Sequence, residues 1–151
     1  MDDSVPEAID AGAPVISRQR LLIPAARADV WSIHAEVHRW VDWQADIQSA
    51  SIDGALAAGS TITWRTAGID AAIASKIYVV EPQRRTLWGA PAMGITGIHE
   101  WRFADAEGGT LVETEESWSG APVEADITNM EKILDASLQK WLHHLRCRAT
   151  A

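Results

Sequence analysis

The 151-residue chain holds one cysteine, one tyrosine and one phenylalanine. The lone thiol, Cys147, excludes a disulfide within the chain and any cysteine-based zinc centre. No apolar run approaches the length of a membrane span. The opening Met1-Asp2-Asp3 is acidic where a secretory leader is basic and then apolar. A cytoplasmic location is therefore expected. Positive charge is scarce as well, with 13 Lys and Arg against 21 Asp and Glu, a net charge of −8. Such a surface repels phosphates and anionic lipid, so neither nucleic acid nor membrane insertion is expected. Nothing in the sequence fixes an oligomeric state. No glycine string cradles a phosphate: Gly89, Gly94 and Gly97 are irregularly spaced and precede a strand. Neither a Ser-His-Asp nor a Cys-His arrangement is present. The expectation is no cofactor and no metal. His34, Glu36 and His38 sit on a short helix that should end near Val37, and they read as its solvated end.

Against this stands an abundance of tryptophan, eight in all. Trp31, Trp40, Trp43, Trp64, Trp88, Trp101, Trp118 and Trp141 touch almost every segment. A large flat ring with one N–H suits the wall of an apolar cavity that needs a few polar handles.

Residues 1–13, rich in Asp, Ala and Pro, read as a disordered lead-in to one domain over 14–151. Val15–Ile23 is strand-like. Ala25–Ala35 reads as a short helix, and a second short helix or turn carries Trp40 and Trp43. Strands are then expected at Ile47–Ile52, Thr61–Thr66, Ile69–Val80, Arg84–Gly89, Thr96–Phe103 and Thr110–Trp118, separated by turn residues. The chain closes with a helix from about Val123 to Arg148. Its apolar stripe is Ile127, Met130, Leu134, Leu138, Trp141 and Leu145, with Lys140 facing away. Successive strands without helices between them argue for an antiparallel sheet. The predicted fold is α+β. A curved antiparallel seven-stranded sheet wraps around the long C-terminal helix, with two short helices after the first strand.

Several strings in this order resemble the SRPBCC superfamily, the helix-grip fold of START domains and birch-pollen-allergen-like proteins. They are Ile23-Pro24-Ala25-Ala26 with Val30-Trp31, Trp40-Val41-Asp42-Trp43 with Ile47, and Gly59-Ser60-Thr61 with Trp64. Val80-Glu81-Pro82 with Leu87-Trp88, His99-Glu100-Trp101-Arg102-Phe103, Glu115-Glu116-Ser117-Trp118 and Trp141-Leu142 follow. The resemblance covers residues 15–146 and is closest to the polyketide cyclase/dehydrase-like branch. It implies a deep apolar pocket for a hydrophobic small molecule. It carries no reaction-specific string.

Alternation along the last two strands places His99, Trp101 and Phe103 on one face, and Val112, Thr114, Glu116 and Trp118 on one face of the next strand. Glu100, Arg102, Glu113 and Glu115 then face solvent. A loop over Ala104–Gly109 sets Phe103 opposite Thr110, Trp101 opposite Val112 and His99 opposite Thr114. Glu116 becomes a diagonal neighbour of His99, about 7–8 Å away at the backbone. A histidine, a hydroxyl and a carboxylate on an apolar wall supply what proton transfer needs. Glu116 and His99 are the candidate catalytic pair. Trp43, Trp64, Trp88, Trp101, Thr114, Trp118, Met130, Leu134 and Trp141 are the candidate substrate-binding residues. The expected activity is that of a cyclase or dehydratase on an apolar, carbonyl-bearing substrate. The alternative is a carrier or sensor with the same pocket and no chemistry.

Overall fold

The computed structural model describes residues 5–151. β1 (Val15–Ile23) leads through Pro24 into α1 (Arg27–Ala35) and a 3-10 helix (Val37–Asp42). Six strands follow: β2 (Ile47–Ile52), β3 (Thr61–Thr66), β4 (Ile73–Glu81), β5 (Arg85–Ala92), β6 (Ile95–Ala106) and β7 (Gly109–Ser119). A short α2 (Ala121–Ala125) precedes the 23-residue α3 (Ile127–Ala149). The strands form one seven-stranded sheet in the order β1-β7-β6-β5-β4-β3-β2, antiparallel throughout. It curls into a half-barrel that grips α3, the helix-grip architecture expected.

The elements follow from local chemistry. β1 alternates Val15, Ser17 and Ile23, all buried, with exposed Arg18 and Arg20. On α3, Leu134, Leu138, Trp141 and Leu145 recur at three- and four-residue steps and are buried. They form one face of the helix, and that face meets the sheet.

Besides β5, which runs on past Gly89 through Pro91 to Ala92, three features differ from expectation. The C-terminal helix is not continuous from Val123. Asp126 interrupts it with a non-helical backbone and caps α3, its carboxylate accepting from the Asn129 N–H at 3.4 Å. Ile127, at the first turn of α3, is exposed and not part of the buried stripe. β4 begins at Ile73 because Gly68 turns the chain with φ 87°, leaving Ile69–Ala72 outside the ladder.

The third difference is the β6–β7 register. The ladder continues to Ala106↔Gly109, closed by a tight turn with Gly108 at φ 89°. Phe103 faces Val112, Trp101 faces Thr114, and His99 faces Glu116. The expected pairing is wrong by two residues. Side chains alternate with period two, so such a slip leaves every one on its assigned face. It does turn the diagonal pair into a directly opposed one.

The outer sheet face is less solvated than expected. Glu100 is only 4% exposed and is ion-paired to Arg85 and, at 2.6 Å, to Arg102. Residues 1–4 of the expected disordered lead-in lie outside the described residues. Residues 5–13 carry no helix or strand, yet they dock on this face. Ile9 is buried, the Asp10 N–H donates to Ser117 Oγ at 3.0 Å, and the Glu7 carbonyl accepts from Arg85.

Candidate active site

Between the concave sheet face and α3 lies a cavity of about 670 Å³, within the range of small-molecule sites. Trp64, Trp88, Trp118, Trp141, His99 and Glu116 line it, as expected, and so does Trp40. Five candidates do not reach it. Trp43 and Trp101 are buried in the main core behind the wall. Both indole N–H groups lack a hydrogen-bond partner among the described residues, and both rings pack T-shaped on Trp141 at 5.8 and 5.9 Å. Met130 and Leu134 belong to a second cluster with Val15, Val123 and Leu138 near the N-terminal end of α3. Thr114 lies beneath the wall, against His99. The helix instead reaches the cavity through Ile133, Ala136, Ser137, Lys140 and Trp141. Lys140 is exposed as expected, but it reaches across the rim to Asp46 Oδ2 at 3.2 Å.

The floor carries the polar groups. β6 and β7 place His99 and Glu116 opposite each other on the concave face, and His99 Nδ1 lies 3.1 Å from Glu116 Oε1. His99 Nε2 lies 2.7 Å from Thr114 Oγ1. The Thr114 hydroxyl lies 3.0 Å from the Glu100 carbonyl. A carbonyl only accepts, so Thr114 donates there and must accept from His99 Nε2–H. His99 Nδ1 is then an acceptor, and the proton between it and Glu116 sits on the carboxyl. The Trp118 indole N–H donates to the other oxygen, Glu116 Oε2, at 2.5 Å. Gly97 makes room for this arrangement: a Cβ there would meet Oε2 at 3.3 Å and the Trp118 ring at 3.4 Å.

The electrostatics agree with that proton count. Burial pushes the Glu116 carboxyl up to about 7, against a smaller opposing effect of the Trp118 N–H. Burial lowers His99 to about 3, with a further contribution from a positive charge on His34. Below about pH 7 the pair is a carboxylic acid beside a neutral imidazole, and above it the carboxyl ionises while the imidazole stays neutral.

His34 is a correction. The residue expected at a solvated helix end is 2% exposed. Val30 and His34 are one helical turn apart on the buried face of α1. The His34 ring stacks on Trp88 at 5.5 Å, its Nε2 meets Thr86 Oγ1 at 2.9 Å, and burial lowers it to about 3. The i, i+4 step from Val30 carries the signal for its burial. Glu36 and His38 are exposed. Among the described residues no group of three or more His, Cys, Asp or Glu side chains is arranged to hold a metal ion, and no helix is long and apolar enough to cross a membrane.

The model of the family described as "Polyketide cyclase / dehydrase and lipid transport" matches residues 15–150. The chain belongs to this family. Comparison with curated proteins gave no match. Solved structures show the same fold at low identity. A hypothetical protein from Helicobacter pylori superposes with a TM-score of 0.81 at 15% identity, covering 98% of this chain and 99% of that one. A START superfamily protein from Mycobacterium smegmatis gives 0.72 at 12% identity, covering 89% and 97%. The di-domain ARO/CYC StfQ from the steffimycin biosynthetic pathway gives 0.75 at 13% identity; 90% of this chain matches 50% of StfQ. At such identities the likeness establishes the START/SRPBCC fold, and the family assignment goes with a fold built to hold hydrophobic ligands.

Proposed function

We propose that this chain binds an apolar, carbonyl-bearing small molecule in the tryptophan-walled cavity and catalyses its cyclisation or dehydration. Glu116 and His99 act as the proton-transfer unit. The observation that carries this reading is the Glu116 carboxyl on the cavity wall, hydrogen-bonded to a neutral His99 and held near pH 7 by burial. A carboxyl with a pKa close to working pH both gives and takes a proton at low cost. The apolar walls hold a flexible chain in a reactive conformer and keep bulk water out. Thr114, whose hydroxyl is engaged by Glu100 and His99, serves the unit rather than the substrate. We propose a cytoplasmic setting, in which the exposed Cys147 stays reduced. The net charge of −8 supports a small molecule rather than nucleic acid as the partner.

The test is product analysis with a panel of apolar poly-β-ketones and β-hydroxyketones. With these neutral ketones Glu116→Gln is expected to lower turnover by about 10²–10⁴-fold while their binding is nearly kept. Undiminished turnover in Glu116→Gln overturns the proton-transfer role. The second reading is a carrier without chemistry, favoured by the "lipid transport" in the family's own description. Tight binding with no turnover by the wild type selects it.

A further inference from the structure

The polar corner of the cavity has committed every donor it owns. The Thr114 hydroxyl goes to the Glu100 carbonyl, His99 Nε2–H to Thr114, the carboxyl proton to His99 Nδ1, and the Trp118 N–H to Glu116 Oε2. The corner still offers a lone pair on Oε2 at the cavity wall. Among the described residues the only ammonium or guanidinium lining the cavity is that of Lys140, and Asp46 holds it at 3.2 Å on the rim. Glu116 is therefore a largely buried carboxyl, open to the cavity, with no cation of its own. The Trp118 indole touches it, and Trp88 and Trp141 wall the same cavity; indole is the ring type that best attracts a positive charge.

We propose that the ligand carries a protonatable nitrogen whose ammonium group docks on the Glu116 carboxylate within the tryptophan wall. The proposal rests on the cavity being the ligand site and adds the substrate class. An ammonium brings N–H donors to a corner that offers an acceptor, and a charge to a carboxylate that lacks a counterion. Docking releases one proton, from Glu116 to solvent. His99 stays neutral and changes tautomer: its proton moves from Nε2 to Nδ1 and is donated to the carboxylate. The Thr114 hydroxyl swings from the Glu100 carbonyl to donate to Nε2. A neutral ligand gains none of this, and an anionic one meets an unbalanced carboxyl.

The charged and titratable groups facing Glu116 are few. His99 lies opposite on β6, and His34 on α1 stands behind Trp88. Ser17 lies opposite on β1 and donates to Asp135 of α3 at 2.5 Å. Asp46 and Lys140 pair at the rim. With Glu116 near 7, docking above that pH meets a carboxylate already formed, and docking below it must expel a proton. Affinity for an ammonium should therefore rise about tenfold from pH 6 to pH 8.

The experiment is calorimetric titration with three naphthalenes of matched size carrying an aminomethyl, an ethyl or a carboxylate group. The amine stays protonated across this range. The amine is expected to bind about tenfold tighter at pH 8 than at pH 6, to exceed the ethyl compound at pH 8, and to release a proton at pH 6. The ethyl compound should show no pH dependence, and the carboxylate should bind weakest. Glu116→Gln should erase the preference for the amine. Equal binding of the amine and ethyl compounds at both pH values overturns the inference and leaves the hydrophobic-ligand reading standing. An amine preference kept in Glu116→Gln overturns the assignment to Glu116. Binding by none of the three overturns both. If the variant does not fold, the wild-type pH dependence and proton release still decide.

Discussion

The Glu116→Gln substitution has a consequence for stability that needs no ligand. In the folded chain the carboxyl is raised from 4.5 to about 7 by burial. The folded state therefore holds this proton over a pH range in which the unfolded state has released it. The contribution of Glu116 to stability is complete below about pH 4.5, is lost as pH rises to about 7, and is level above that. At about 1.4 kcal/mol per pH unit, the loss across the window is about 3 kcal/mol. Glutamine mimics the protonated acid in shape and donates to His99 Nδ1 without titrating. Its stability relative to wild type should therefore improve by about 3 kcal/mol between pH 4.5 and pH 8. His34 and His99 act in the opposite sense. Both are lowered from 6.5 to about 3, so each favours unfolding as pH falls through 6.5 toward 3. Taking the difference between variant and wild type at each pH largely cancels them. Urea denaturation followed by tryptophan fluorescence at pH 4.5, 6 and 8 measures it. A difference that stays within about 0.5 kcal/mol across the three pH values refutes the desolvated-carboxyl argument, because Glu116 would then be as well solvated folded as unfolded.

Three further outcomes are expected. Leu138 is fully buried on the inward face of α3, so Leu138→Ala should cost about 2–5 kcal/mol in chemical denaturation. Lys140→Ala, at an exposed ion pair, should fall within about 1 kcal/mol of wild type. Thr114→Val removes the hydroxyl that satisfies His99 Nε2–H and should shift the pH profile of ligand binding. Thr114→Ser should restore that profile, whereas a purely packing role would leave it unmoved in both variants.

Much of this molecule is legible in the sequence because its strands alternate strongly. The faces of β6 and β7 follow from residue order alone, and so does the presence of His99 and Glu116 on one wall, though not their direct pairing. The register escaped because Ala104-Asp105-Ala106-Glu107 carries no hydrophobic pattern to mark it as strand. The glycines at 108 and 109 allow a turn tighter than composition suggests. His34 escaped because a histidine near a helix end usually meets water, and its neighbours Thr86 and Trp88 arrive from a strand fifty residues away. Met130 and Leu134 lie on the same helical stripe as Trp141 but away from the void, because a stripe shows which face is buried and not how far along the helix the void extends. Trp43 and Trp101 show the matching limit: tryptophan count signals an aromatic interior, and only the tertiary packing divides lining rings from rings behind them.

The absence of a side chain at Gly97 constrains how this cavity can change. A single methyl there would crowd the Glu116 carboxyl and the Trp118 ring together. A larger residue at Gly97 would therefore move the carboxyl or the ring by at least a few tenths of an ångström. The rim is different: Met93 and Ile133 line the mouth and are 69% and 47% exposed, with solvent on one side to absorb a change in size. Diversification of this scaffold should run from the outside inward. New ligands would be admitted by altering the entrance while the acid–imidazole pair beneath stays as it is.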